Sequence, residues 1–172
     1  IKVACLMLIL RELTILCNLN ITMKEADSLM NSGIEFAQKI NLAYNSVCKP
    51  LLHKFNIPQT AFDILMFLAN NPEYTTARDI VEIRKIKANL VSVNVDRLVC
   101  DGYIIRKEIK GDRRKTQLIC TSATEEIIKE GQALQKDFLE HLFDNMDTAT
   151  KEAFFTGMKQ IEDNLDKILK KR

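Results

Sequence analysis

A chain of 172 residues with 47% hydrophobic and 28% charged side chains can bury one core without covalent staples. Its cysteines, Cys5, Cys17, Cys48, Cys100 and Cys120, are odd in number and form no CxxC pair, and its histidines are His53 and His141. That pattern argues against a disulfide framework or a structural metal site and for a reducing, cytoplasmic setting, while a net charge of +2 predicts no polyanion partner by itself.

The first 22 residues, IKVACLMLILRELTILCNLNIT, form an apolar run broken by Arg11-Glu12. The run is too interrupted to span a bilayer, and it has neither a basic start nor a small-residue cleavage site. Two readings stand side by side. The segment is a fused or upstream-translated extension ahead of Met23, or an extra amphipathic helix with Leu6, Leu10, Leu13 and Cys17 on one face.

From about Gly33 to Phe55 the residues Phe36, Ile40, Tyr44, Val47 and Leu51 recur at helical spacing, with Pro50 expected to kink the helix near its end. A second helix follows Pro58, with Phe62, Leu65 and Leu68 on one face, and Asn70-Asn71-Pro72 closes it. A short helix carrying Ile80, Val81 and Ile83 opens on a threonine cap. Another spans about Ala88 to Asp101 with Val91, Val95 and Leu98 inward, ended by Gly102. YIIRKEIK and TQLIC then read as a hairpin. Two long helices, roughly 122–145 and 148–170, complete the chain; the last carries Phe154, Met158, Ile161, Leu165 and Ile168 as a coiled-coil-like seam. With few glycines and prolines, the expected fold is mainly α with a small β-hairpin wing.

Charge is concentrated in the middle. Between Arg84 and Lys115 ten cations face four acids, a net +6, so the rest of the chain carries −4. Such asymmetry marks a phosphate-facing surface. The two short helices joined by Arg84-Lys85-Ile86-Lys87 make a helix-turn-helix. Its second helix presents Asn89, Ser92, Val93 and Asp96 outward, small and polar residues of the kind a major-groove helix needs. Asn89 suits adenine, Ser92 a base or phosphate, Val93 a thymine methyl; Asp96 restricts groove entry to the first two turns because a carboxylate repels phosphate. Arg106 and Lys107 on the first strand, Lys110 near the tip, and Arg113, Arg114 and Lys115 beyond it make the hairpin a cationic wing suited to a narrow minor groove. Asp112 either aims Arg114 through an ion pair or caps its own turn.

The stretch DRRKTQLICT, Asp112 to Thr121, resembles the Asp-Arg-Arg wing signature of the multiple-antibiotic-resistance regulator (MarR) family, with Cys120 in place of its leucine. Asp79 to Lys107 is similar to that family's helix-turn-helix and first wing strand, and NIPQTAFDILMFL to the preceding helix, so the likeness covers roughly residues 33 to 170. Lys85 stands at a usual turn glycine and Lys87 at a usual capping serine. The resemblance implies a winged helix-turn-helix lobe at 58–121 within a single 33–172 unit. Helices 33–55 and 122–170 would make a homodimer through Phe36, Ile40, Tyr44, Phe154, Met158, Ile161, Leu165 and Ile168. DNA contacts would come from Lys87, Asn89, Ser92 and Val93 of the recognition helix and Lys110, Asp112, Arg113, Arg114 and Lys115 of the wing.

The expected partner is a pseudo-palindromic double-stranded DNA operator, and the expected role is transcription regulation, as a repressor relieved by a small-molecule effector. Some members sense oxidants through a cysteine in the first long helix. Cys48 sits near that helix's end and is expected to be a small packing residue, as are Cys100 and Cys120. No cofactor, metal or membrane association is expected. No nucleophile–base spacing, phosphate loop or metal cluster points to an enzyme. A winged-helix module that binds protein instead of DNA is the alternative.

Overall fold

A computed structural model describes residues 23–109 and 112–170. Its elements are α1 (Met23–Phe55), α2 (Gln59–Asn70), α3 (Ala77–Arg84), α4 (Ala88–Cys100), strands β1 (Ile104–Ile109) and β2 (Asp112–Cys120), a 3-10 turn (Ser122–Thr124), α5 (Glu125–Leu142) and α6 (Thr148–Lys170). The expected mainly helical fold with a two-stranded wing is the observed one. The segment 1–22, with both of its readings, lies outside the described residues. The described residues fall into two compact units: Val47–Leu139, and the residues flanking it on both sides.

The core of the central unit is organised around α2. The sequence predicts one apolar face there, yet Ala61, Phe62, Ile64, Leu65, Met66, Phe67 and Leu68 are all buried. Seven buried residues within eight positions, five of them consecutive, cannot all lie on one face, so neighbouring elements cover the helix from several sides. Ile80 of α3, Val91, Val95 and Leu98 of α4, Ile104 and Leu118 of the hairpin and Ile127 of α5 complete the core. Helix α5 can approach α2 closely because it carries Gly131. A Cβ built there would lie 2.5 Å from Met66 Sδ and 2.9 Å from Phe62 Cε2.

Polar pairs align the helices around this core. Lys54, in the last turn of α1, bonds Glu126 and Glu130 one turn apart on α5. The two carboxylates hold the ammonium pKa above its usual value, and the lysine holds that of Glu126 below. These groups are exposed, so the cluster orients more than it stabilises. The side chain of Asn70 donates to Gln135 at 3.0 Å and accepts from Gln132 at 2.9 Å, fastening the end of α2 to α5. Cys48 is fully buried, as expected of a packing residue.

Pro50 lies inside α1, which continues to Phe55. Within the flanking unit, Phe143 is buried against Phe154 and Phe155, with ring centroids 5.7 and 5.4 Å away.

Candidate nucleic-acid interface

The helix-turn-helix is set by caps that its sequence supplies. Thr76 opens α3 with a reciprocal pair: its Oγ1 accepts from the Asp79 amide at 3.2 Å, and its own amide donates to Asp79 Oδ2 at 2.8 Å. That satisfies donors the first turn leaves without partners. At the other end of α3, Lys85 takes the left-handed conformation, φ 57° and ψ 29°. Lys85 thus holds the left-handed conformation that a turn glycine would adopt at less cost. Lys87 occupies the N-cap of α4 without a side-chain capping bond, since its ammonium has no acceptor to offer the amides.

Behind the turn, Asp63 of α2 accepts from Gln59 at 3.0 Å and lies 3.9 Å from Arg84 at the end of α3. Burial pushes the Asp63 pKa up, and the Gln59 hydrogen bond and the Arg84 charge oppose that shift.

Helix α4 buries Val91, Asn94, Val95 and Leu98. Asn94 turns its amide inward to donate to the Leu90 carbonyl at 2.8 Å. The opposite face carries Asn89, Ser92, Val93 and Asp96, all exposed, as the spacing predicts. Leu90 is also exposed, at 45%, and stands one turn from Val93, at 66%. Sequence reasoning passed over Leu90 because a leucine in an amphipathic helix is expected to face the core. Cys100 was expected to fill the core and instead is exposed. It falls on the side of α4 opposite Val91 and Leu98. Cys120 is half-buried, and burial raises its thiol pKa.

The hairpin is antiparallel, with Ile104 opposite Cys120, Arg106 opposite Leu118 and Glu108 opposite Thr116. Residues two apart share a face, so Arg106 lies on the side of buried Ile104 and Leu118, toward α4. There it bonds the Asp96 carboxylate. Arg106 was expected among the wing's groove-seeking cations; strand parity directs it to the helix instead, while Lys107 on the other face is exposed. The pairing changes the meaning of Asp96 as well, because its negative charge is met within the lobe.

The hairpin is anchored at its base. Leu118 donates to the Thr75 carbonyl at 2.8 Å, and Thr121 Oγ1 donates to the Gly102 carbonyl at 2.7 Å. Gly102 itself has φ 76°, the left-handed value a helix-ending glycine supplies. Between the start of α3, the exposed flank of α4 and the hairpin lies an open concavity of about 970 Å³, bordered by Thr76, Ser92, Val95, Arg106 and Thr116.

Of the wing residues, Lys110 lies outside the described residues. Asp112, Arg113, Arg114 and Lys115 form the start of β2, and their side chains lie outside the described ones, as does the proposed Asp112–Arg114 pair. Of the seam residues, Phe36, Ile40, Tyr44, Phe154, Met158 and Ile161 are half-buried, whereas Leu165 and Ile168 are exposed. Among the described residues of α1, Ile34 and Leu42 lie exposed on another face, the latter at 70%. Among the described residues there is no group of metal-ligating side chains, and no helix is long and apolar enough to cross a membrane.

A capped helix-turn-helix closed by an anchored hairpin defines a winged helix-turn-helix protein. Residues 55–115 match the MarR family model, and the fold is that of solved MarR-family regulators. A MarR protein from Peptoclostridium difficile superposes with a TM-score of 0.69 at 18% identity, covering 80% of this chain and 90% of the other. A MarR-family regulator from Listeria monocytogenes, complexed with 26mer DNA, gives 0.68 at 17% identity, covering 77% and 87%. BpsR of Bordetella bronchiseptica, whose DNA binding is regulated by 6-hydroxynicotinic acid, gives 0.58 at 14%, covering 73% and 94%. No curated protein sequence matches the chain.

Proposed function

We propose that this protein is a homodimeric, sequence-specific DNA-binding transcription regulator, a cytoplasmic repressor whose grip on a pseudo-palindromic operator is relieved by a small ligand. One observation carries the reading. A helix whose exposed face carries Asn89, Ser92 and Val93 is fixed beside a hairpin in a segment whose net charge is +6. Groove entry needs such a face, and phosphate attraction needs such a charge. In this reading Lys87, Asn89, Ser92 and Val93 enter the major groove, and Lys110, Arg113, Arg114 and Lys115 meet the backbone or minor groove, with Asp112 orienting Arg114. The fold shared with a DNA-complexed relative supports the reading, and ligand regulation in BpsR supports the relief step.

Homodimerisation is supported by apolar side chains that the terminal helices leave in water, among them Leu42, Phe155, Ile168 and Leu169. A second copy covers such a surface with the fewest additional parts. The reading assigns no enzymatic role and no cofactor.

Selection of duplexes from a random pool, followed by a shift assay with Arg114→Ala, tests the proposal. Wild-type protein should retain an inverted repeat with steep salt dependence. The variant should bind more than ten-fold more weakly while keeping the circular-dichroism spectrum of the wild type. Equal binding removes the wing from the interface, and no retained duplex at low salt favours a protein-binding module.

A further inference from the structure

Building on the proposed DNA-binding role, we infer that α4 reads A·T base pairs through thymine C5-methyl groups held by Val93 and Leu90. The groove-facing surface is poor in guanine readers. Guanine is read by arginine or lysine reaching O6 and N7. Apart from Lys87 at the N-cap, no cation precedes Arg97 on the helix. Arg97 is engaged within the lobe, donating to the Asn56 carbonyl at 3.2 Å and lying 3.5 Å from Asp101. The carboxylate suited to cytosine N4, Asp96, is engaged by Arg106.

Exposed on the first two turns are the Ala88 methyl, the Asn89 amide, the Ser92 hydroxyl and two branched apolar side chains, Leu90 and Val93. Asn89 presents a donor and an acceptor, the pattern that matches adenine N6 and N7. Val93 and Leu90 lie three residues apart, so their methyl groups form one continuous apolar patch. Two large apolar side chains in water beside a cationic wing have no role in the core. The apolar group that a B-form major groove offers is the thymine methyl. Adenine and thymine are partners in one base pair, so the amide and the methyl patch specify the same sequence class from its two strands.

The test removes the methyl group and nothing else. The duplex selected from a random pool is titrated with wild-type protein after each half-site thymine is replaced, one at a time, by deoxyuridine. One or two positions in each half-site should lose about four-fold in affinity, the worth of one buried methyl. Val93→Ala should bind the thymine and deoxyuridine forms equally at one of those positions, and Leu90→Ala at its neighbour. Both side chains are exposed, so neither substitution opens a cavity. A selected duplex in which no deoxyuridine costs two-fold overturns this inference and leaves DNA binding intact. So does a penalty that persists in both variants. A pool from which nothing is retained overturns the DNA-binding role and this inference with it.

Discussion

Replacing Gly131 by alanine sets two effects of known sign against each other. Alanine is the better helix former by about 1 kcal/mol, and this acts in favour of the variant. The new Cβ meets Met66 Sδ at 2.5 Å and the Phe62 ring at 2.9 and 3.0 Å, against ordinary contacts of about 3.5–4 Å. Met66 has torsions that let its sulfur move, but Phe62 is fully buried and its ring has nowhere to retreat. Overpacking of this kind costs about 1–3 kcal/mol, so the variant should be less stable by about 0–2 kcal/mol. For a chain of this size that lowers the melting temperature by up to roughly 8 °C. Thermal unfolding followed by circular dichroism, at one protein concentration, measures it. Ala133→Gly, on the exposed side of the same helix, isolates the propensity effect and should cost about 1 kcal/mol. A Gly131→Ala protein that melts several degrees higher than wild type would refute the close α2–α5 packing.

Lys85→Gly should raise stability by about 0.5–1 kcal/mol in denaturant titration, because the left-handed strain on lysine exceeds the extra entropy glycine loses on folding; a loss of stability would mean that Lys85 makes a contact outweighing its strain. Asp63 has a pKa raised by burial, so in acid the folded state binds more protons than the unfolded one. Its contribution to stability therefore falls as pH rises from 3.8 through the raised folded value. Melting temperatures over that window should show a shallower fall, or a steeper rise, for Asp63→Asn than for wild type, and identical profiles would place Asp63 in water.

Much of the lobe was legible because local rules suffice where partners are close in sequence. The Thr76–Asp79 cap, the Gly102 stop and the exposed face of α4 each depend on residues within a turn or two of one another. Arg106 was misjudged for a different reason. Its inward direction follows from strand parity with Ile104, but charge alone suggested the groove, and the Asp96 partner lies ten residues away on another element. The Asp63–Arg84 contact joins two helices whose separation in sequence gives no periodic signal. The burial of α2 on nearly every side could have been read from five consecutive apolar residues, Ile64 to Leu68, but which elements cover each side is a property of assembly.

The central claim is that two copies of this chain place two winged lobes on one DNA duplex. Sedimentation of the protein with its selected duplex gives the number of chains per duplex directly. The account predicts two chains on one duplex, with half-site centres about one helical turn, 10–10.5 base pairs, or a multiple of it apart. One chain per duplex, or no complex at 50 mM salt, would contradict it.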